Sequence, residues 1–422
     1  MNEQPTASSG RHGPLHAEHV ALGAAMTPFA GWSMPLRYTS DLAEHHAVRR
    51  AAGLFDLSHM GEIRVTGGQA GPALDRALVG NLSALNVGRA RYTMICAEDG
   101  GVLDDLVVYR PEPDEYLVVA NASNVAVVLG ELERRCTGPG ATGPGATVTD
   151  ESEQTALIAV QGPAAEGILA GLIADPAERE AVAGVRYYAS TRAVRGTPPI
   201  GTRPAGTGTV TAMVARTGYT GEDGFELFVA AGDAPRLWQM LLATGAPAGL
   251  VPAGLACRDS LRLEAGMPLY GNELDRTTTP YDAGLGRVVK LDKVDASGAP
   301  LPFVGRAALE ARSAVEPRSA VEPRSAVEVR SAVEPQARPR RLLVGLQGLT
   351  RRAARHGYPV LDASGAPVGA VTSGAPSPTL GFPIAMAYVD AARATPGTEL
   401  VVDVRGRPEP VRVVPLPFYR RS

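Results

Sequence analysis

At 422 residues, 45% hydrophobic and 20% charged with a formal net charge of -3, the chain has the balance of a globular protein of roughly two or three domains. No excess of Lys and Arg points to nucleic acid, and no apolar run is long enough to span a bilayer. The polar segment from Met1 to Pro14 lacks the apolar core of a signal peptide, and the three scattered cysteines Cys96, Cys136 and Cys257 form no CxxC pair, so a cytoplasmic location is expected.

Leu15 to Leu22 reads as a short helix, followed by the aromatic-rich segment Phe29 to Tyr38. Asp41 to Ala51 has helical apolar spacing, with Gly53 as the expected stop, and Gly53 to Gly61 leads into a strand over Glu62 to Thr66. The histidine neighbours His16/His19 and His45/His46 have no Cys or carboxylate at zinc spacing, so no metal site is expected. Strand-like runs at Tyr92 to Ala97, Val102 to Tyr109 and Tyr116 to Asn121, joined by short turns, predict an antiparallel sheet. A helix capped by Ser123 follows, with Val125, Val128, Leu129 and Leu132 on its buried stripe. The directly repeated Thr-Gly-Pro-Gly-Ala at Thr137 to Ala146 is a loop expansion.

Within the second of those strands stand two adjacent acids, Asp104 and Asp105, after the turn Asp99-Gly100-Gly101. Alternation places Asp105, Val107 and Tyr109 on one face and Asp104, Leu106 and Val108 on the other. If both faces are covered, desolvation raises a carboxyl toward neutrality and makes it a proton acceptor; the alternative is that both acids are solvated or that Asp104 only supports the turn.

Further on, Thr155 to Gln161 is a buried strand and Gly162-Pro163 opens a helix. Strands are expected near Val185 to Ala189 and at Thr209 to Arg216, separated by the Gly/Pro/Thr-rich loop Gly196 to Gly208. Gly218 to Gly224 has spaced glycines, but a strand at Phe225 to Ala230 follows where a phosphate loop would open a helix, so a structured hairpin loop is the reading and no nucleotide site is expected. Glu226 either points inward or sits solvated at an edge. Pro252 to Ala265 is a helix ended by Gly266, with Arg258 and Arg262 four apart on one face. That pair suits a dicarboxylate, or equally salt bridges to Asp259 or Glu264.

Taken in order, Phe29-Ala-Gly-Trp32, Gly53-Leu-Phe-Asp-Leu-Ser-His-Met-Gly61, Gly100-Gly-Val-Leu-Asp-Asp105, Gly218-Tyr-Thr-Gly-Glu-Asp-Gly224, Arg258-Asp-Ser-Leu-Arg-Leu-Glu264 and Pro268-Leu-Tyr-Gly-Asn-Glu273 closely resemble the T-protein family of the glycine cleavage system. The resemblance covers nearly the whole chain from about Pro14. It implies an α+β fold: a three-domain cloverleaf around a central tetrahydrofolate cavity, of antiparallel sheets with helices plus a C-terminal jelly-roll-like β-barrel. The first two domains, interleaved in sequence, would form the catalytic region 14–305, with a linker at 306–339 and the barrel at 340–422. The implied activity is aminomethyl transfer from the lipoyl arm of H protein to tetrahydrofolate, with H protein and tetrahydrofolate as partners and no metal, flavin, nucleotide, nucleic acid or membrane involved.

Residue by residue, the resemblance places the family's essential aspartate on Asp105 and its pterin-binding amide and acid on Asn121 and Glu226. Its carboxylate-binding arginine falls on Arg258. Pocket positions fall on Met60, Tyr92, Val107, Tyr109 and Tyr219, and a C-terminal contact on Arg420. Met267, Asp282 and Arg287 depart from the usual pattern without touching these residues. The largest departure is Arg312 to Pro335, where Arg-Ser-Ala-Val-Glu-Pro recurs four times, the third copy ending in Val329. One Val per copy cannot bury a core and Pro blocks a helix, so a linker is expected. A folate-dependent demethylase or a folate-binding iron–sulfur assembly factor of the same fold is the rival reading. The latter's Gly-Cys motif is missing, since Ile, Arg and Ala precede the three cysteines.

Overall fold

The structure is a computed structural model that describes residues 10–137, 145–196, 209–295, 297–313 and 340–421. The centre of the Thr-Gly-Pro-Gly-Ala repeat, nearly all of the Gly196–Gly208 loop and nearly all of the Arg312–Pro335 repeats lie outside the described residues.

Three sheet bodies build the α+β cloverleaf. The first is a five-stranded, fully antiparallel sheet in the order Arg89–Cys96, Val102–Glu112, Glu115–Ala120, Gly61–Thr66, Thr147–Asp150. The second has six strands, in the order Ser190–Gly196, Val210–Ala215, Gly224–Ala230, Thr155–Gln161, Ala52–Asp56, Leu250–Pro252, and only its last pair is parallel. Ala52–Asp56 and Gly61–Thr66 are close in sequence yet lie in different sheets, so the two bodies are interleaved. The third body is a closed barrel of six strands between Arg341 and Val414.

Alternation along Val102–Glu112 explains how the first two bodies meet. Leu106 and Val108 face the helices Ala70–Ala77 and Val125–Cys136 in one core, while Val107 and Tyr109 face a second core shared with Phe55, Leu157, Ala159 and Phe228 of the other sheet. This shared seam is where the candidate residues gather. Thr155–Gln161 is buried from Ala156 onward, as a central strand covered on both faces must be.

Several local expectations are corrected. The second helix ends at Arg50 with no glycine, and Gly53 lies inside a fully buried strand, where a Cβ would come within 2.5 Å of Val48. Ser123 caps nothing: a 3-10 turn at Ala122–Asn124 intervenes and the helix starts at Val125. Pro163 precedes the helix Ala165–Leu172, because Gly162, at φ +133 and crowded by the Ala51 and Val48 carbonyls, first turns the chain. The strand expected near Val185–Ala189 begins only at Ser190, and Pro252 belongs to a strand, the helix running Leu255–Glu264. Gly266, at φ +64, does end that helix. No described helix is long and apolar enough to cross a membrane.

Candidate functional site

Neither acid of the Asp104–Asp105 pair is solvated. Asp104 is 0% exposed and accepts from the Asn121 backbone N–H at 2.9 Å, from Asn121 Nδ2 at 2.9 Å and from Asn124 Nδ2 at 2.6 Å. Asp105, half-buried on the seam face, accepts from the Tyr92 hydroxyl at 2.9 Å and from Asn121 Nδ2 at 2.8 Å. Burial pushes Asp104 up to about 7, helped by the charge of Asp105. Burial likewise lifts Asp105 to about 6, against the pull of the bonds from Tyr92 and Asn121. The alternatives that both acids are solvated or that Asp104 only supports the turn do not fit its burial and its three donors.

Glu226 is no edge residue. Its strand runs between Val210–Ala215 and Thr155–Gln161, and its Oε2 accepts from the Tyr109 hydroxyl at 3.1 Å and from the Thr217 hydroxyl. Tyr109 itself is 1% exposed, bonds Thr217 at 2.8 Å and meets the Phe228 ring edge-on, so it acts by fixing Glu226 rather than by lining open space.

The arginine pair splits between two roles. Arg262 is 1% exposed and bridges Asp259 and Glu273, with a further bond to Ser373 of the barrel. Arg258 is half-buried, and among the described residues it has no carboxylate partner within bridging distance. Its guanidinium lies 4.9 Å from the centre of the Tyr219 ring, and burial lowers its pKa despite the neighbouring Tyr219 and Glu226. Tyr219 is held in turn by a bond from its hydroxyl to the Pro268 carbonyl.

Met60 and Val107 lie against the apolar seam. Register gives a continuous cross-strand row on that face: Tyr92 opposite Val107, Val107 opposite Val119, and Val119 opposite Glu62. Arg420 is exposed. Its neighbours are engaged instead: Arg421 pairs with Asp223 of the Gly218–Gly224 loop at 3.3 Å, and the Tyr419 ring takes the guanidinium of Arg49, from the helix Asp41–Arg50, at 4.0 Å.

Four residues of this neighbourhood were not singled out as site residues. Tyr188 stands at φ +55, unusual for an aromatic residue, and ties the two sheets together: its carbonyl accepts from Ala90 N–H at 2.9 Å and its N–H donates to the Arg216 carbonyl at 3.0 Å. No sequence signal marks it. His59 is buried, driven down to about 4 by burial and by the charge of Arg258. Glu62 is 0% exposed with both carboxyl oxygens unpartnered among the described residues, and burial raises it well above the usual range. Glu273 is also fully buried, and its charge adds to the rise of Asp105. Strand alternation was a usable signal for Glu62; Glu273 was marked only as the last residue of the motif Pro268 to Glu273.

The arrangement therefore offers a poised base, a second carboxylate fixed by two hydroxyls, an arginine free to take an anion, and an apolar strip between them. That suits a flat heterocycle bearing an anionic tail. No group of three or more His, Cys, Asp or Glu side chains placed to hold a metal ion is found among the described residues.

Comparisons with known proteins agree over the full length. One family model, the GCVT N-terminal domain, matches residues 15–293, and a second, the Glycine cleavage T-protein C-terminal barrel domain, matches residues 341–420. A curated aminomethyltransferase of Saccharopolyspora erythraea is 57% identical over 415 residues, covering 98% of this chain and 100% of that protein. One from Moorella thermoacetica is 42% identical, covering 97% of each. The crystal structure of glycine cleavage system aminomethyltransferase T from Bartonella henselae aligns with a TM-score of 0.78 at 34% identity, covering 97% of this chain and 98% of that one.

Proposed function

The chain belongs to the glycine cleavage T-protein family, and from that premise we propose that it uses Asp105 to move the one-carbon unit of aminomethyl-lipoyl H protein onto tetrahydrofolate. It is an aminomethyltransferase. The products are 5,10-methylenetetrahydrofolate, ammonia and the dihydrolipoyl arm. The carbon loses its bonds to sulfur and to the departing amine and gains bonds to two folate nitrogens. Of the two protons those nitrogens give up, one ends on sulfur and one on ammonia.

The observation that carries the residue assignment is the Asp105 carboxylate, half-buried on the seam and raised to about 6. It is ionised at neutral pH yet basic enough to take a proton from a folate nitrogen as the new bond forms. The same charge stabilises the iminium-like cation that develops when ammonia leaves. Glu226 accepts from the donor-rich pterin edge, since Tyr109 and Thr217 hold its other face. Arg258 takes the glutamate tail, its guanidinium backed by Tyr219. Tyr92 orients Asp105, and Met60, Val107 and Tyr219 form the apolar walls. We place Arg420 at the rim, among the C-terminal residues that brace the Gly218–Gly224 loop.

Lipoylated H protein and tetrahydrofolate are the partners in this reading. The reaction draws on no flavin, nucleotide or metal, and takes place in the cytoplasm as part of glycine catabolism. Residues 14–305 serve as the catalytic region, 306–339 as a linker and 340–422 as the barrel domain. Incubation with aminomethyl-loaded H protein and tetrahydrofolate is expected to release ammonia in step with methylenetetrahydrofolate. Loaded H protein that keeps its aminomethyl group in the presence of enzyme and folate defeats the proposal.

A further inference from the structure

A single amide in the site serves two carboxylates. Asn121 Nδ2 donates to Asp104 Oδ1 at 2.9 Å and to Asp105 Oδ1 at 2.8 Å, with the Asp105 carbonyl a longer third acceptor at 3.2 Å. Every one of these neighbours is an acceptor, so the amide has only one sensible orientation and both its hydrogens are used. The Asn121 backbone N–H is committed as well, to Asp104 Oδ2 at 2.9 Å. Asp104 thus grips Asn121 by two donors with one carboxylate. Turning the asparagine side chain away would break a charge-assisted bond to each acid. From the helix side, Asn124 Nδ2 holds Asp104 at 2.6 Å.

A fully buried carboxyl is a costly way to fill this side of the strand, where an apolar residue would pack without desolvating a charge. Its three donors make sense if the orientation of Asn121 is what matters.

We propose that Asp104 and Asn121 are positioning residues for the reacting carboxylate: Asp104 holds Asn121 from the opposite face of the strand, and Asn121 delivers its amide to Asp105. The inference rests on the assignment of Asp105 above. It adds carboxylate support to the role of Asn121: both Nδ2 hydrogens are used on the two acids, which leaves only Oδ1 to accept from the ligand.

A mutant cycle in the full-length enzyme tests it, with ammonia release for turnover and tetrahydrofolate titration for affinity. Asp104→Asn and Asn121→Ala are each expected to lower kcat about tenfold to a hundredfold, the range for losing a bond to a charged group. The Kd for tetrahydrofolate should move by less than about threefold, and the double variant should be no slower than Asn121→Ala alone, because the two act in series. Additive losses, an unchanged kcat, or a kcat loss matched by an equal loss of affinity overturn the proposal. Should Asp104→Asn not fold, the exchange D104N/N124D, which keeps one carboxylate facing one amide, replaces it in the cycle. Failure of both to fold makes Asp104 purely structural and overturns it too. Asp105→Asn is measured alongside: near-normal turnover there removes the assignment of Asp105 itself, whereas a dead Asp105→Asn with additive partners removes only this inference.

Discussion

Arg258 and Arg262 occupy one helix, four residues apart, yet their energetics are opposite. Arg262 answers two carboxylates and is itself buried, so Arg262→Ala leaves Glu273 charged and unpaired in the interior. Arg258 has no such partner among the described residues. A half-buried guanidinium without an ion-pair partner, backed only by the Tyr219 ring, is placed to answer a ligand anion when the site is in use. Arg258→Ala is therefore expected to weaken tetrahydrofolate binding about tenfold to a hundredfold, the worth of a charge-assisted pair, while the melting temperature hardly changes. Unchanged affinity on titration would move the tail-binding role elsewhere. Spacing alone allowed ligand binding or salt bridges for this pair, with salt bridges the more ordinary outcome. In the structure only Arg262 forms the salt bridges, which depends on where Glu273 arrives in three dimensions.

At the scale of elements, the helix Leu255–Glu264 ends on a cluster that joins it to the helix Asp41–Arg50 and to the barrel loop after Pro376. Glu264 accepts from Arg49 at 2.8 Å, from the Ser377 hydroxyl at 2.5 Å and from the Thr379 hydroxyl at 2.7 Å, and lies 3.1 Å from His45 Nε2. Burial pushes this carboxyl up, but the bonds from His45, Ser377 and Arg49 outweigh it and hold Glu264 down at about 2. The unfolded chain takes up the proton near 4.5 and the folded chain only near 2. The stabilisation is thus present above 4.5 and is lost as pH falls between those values. It amounts to roughly 3 kcal/mol at neutral pH. Glu264→Gln is expected to lower urea-unfolding stability by about that much at pH 7, and the gap to the parent should close as the pH drops below 4.5. A gap independent of pH would assign the effect to packing. Asp104 and Asp105 act with the opposite sign. Raised by burial, they keep protons that the unfolded chain has already released, so they cost stability as pH rises from about 4 toward 7. The stabilising cluster and the destabilising pair sit on different elements, which lets the site hold poised acids in a folded frame.

Across the whole molecule, two bodies meet at the seam and the barrel packs beside them against the helix Leu255–Glu264, and the contacts that join the three run through a few side chains. Arg49 is the clearest: its Nη1 donates to the Thr220 carbonyl at 2.8 Å and to Glu222 at 2.9 Å, while its other nitrogens reach Glu264. The loop that carries Tyr219 is thereby pinned to the first helices and to the C-terminal residues. The N-terminal part of the chain and the barrel also meet at Asp282, which accepts Thr279 N–H at 2.8 Å, lies 3.6 Å from Arg312, and offers its carbonyl to Leu343 N–H at 2.9 Å. Arg312 opens the first Arg-Ser-Ala-Val-Glu-Pro repeat and Leu343 lies a few residues beyond the last, so the two sides of that segment come together beside Asp282. Replacing residues 314–339 with a short Gly/Ser joint is accordingly expected to leave ammonia release and folate affinity unchanged. A large loss of turnover with melting temperature preserved would give the repeats a role in the reaction.

Ordered motifs were enough to identify the family, and strand alternation to place Asp105 and Val107 on one face, because these depend on local pattern and on chemistry written into adjacent residues; the cloverleaf and its barrel came only with the family resemblance. Helix starts and stops were read less well: Gly53, Ser123 and Pro163 carry the right residue types, but tertiary contacts claimed them for a strand, a 3-10 turn and a chain reversal. Tyr188 on its left-handed backbone, the unpartnered Glu62, the pairing of Arg262 rather than Arg258 with Glu273, and the burial of Asp104 behind Asn121 were decided only by the fold. Desolvation and hydrogen-bond supply are set by residues distant in sequence, and those arrive only when the sheets close on each other.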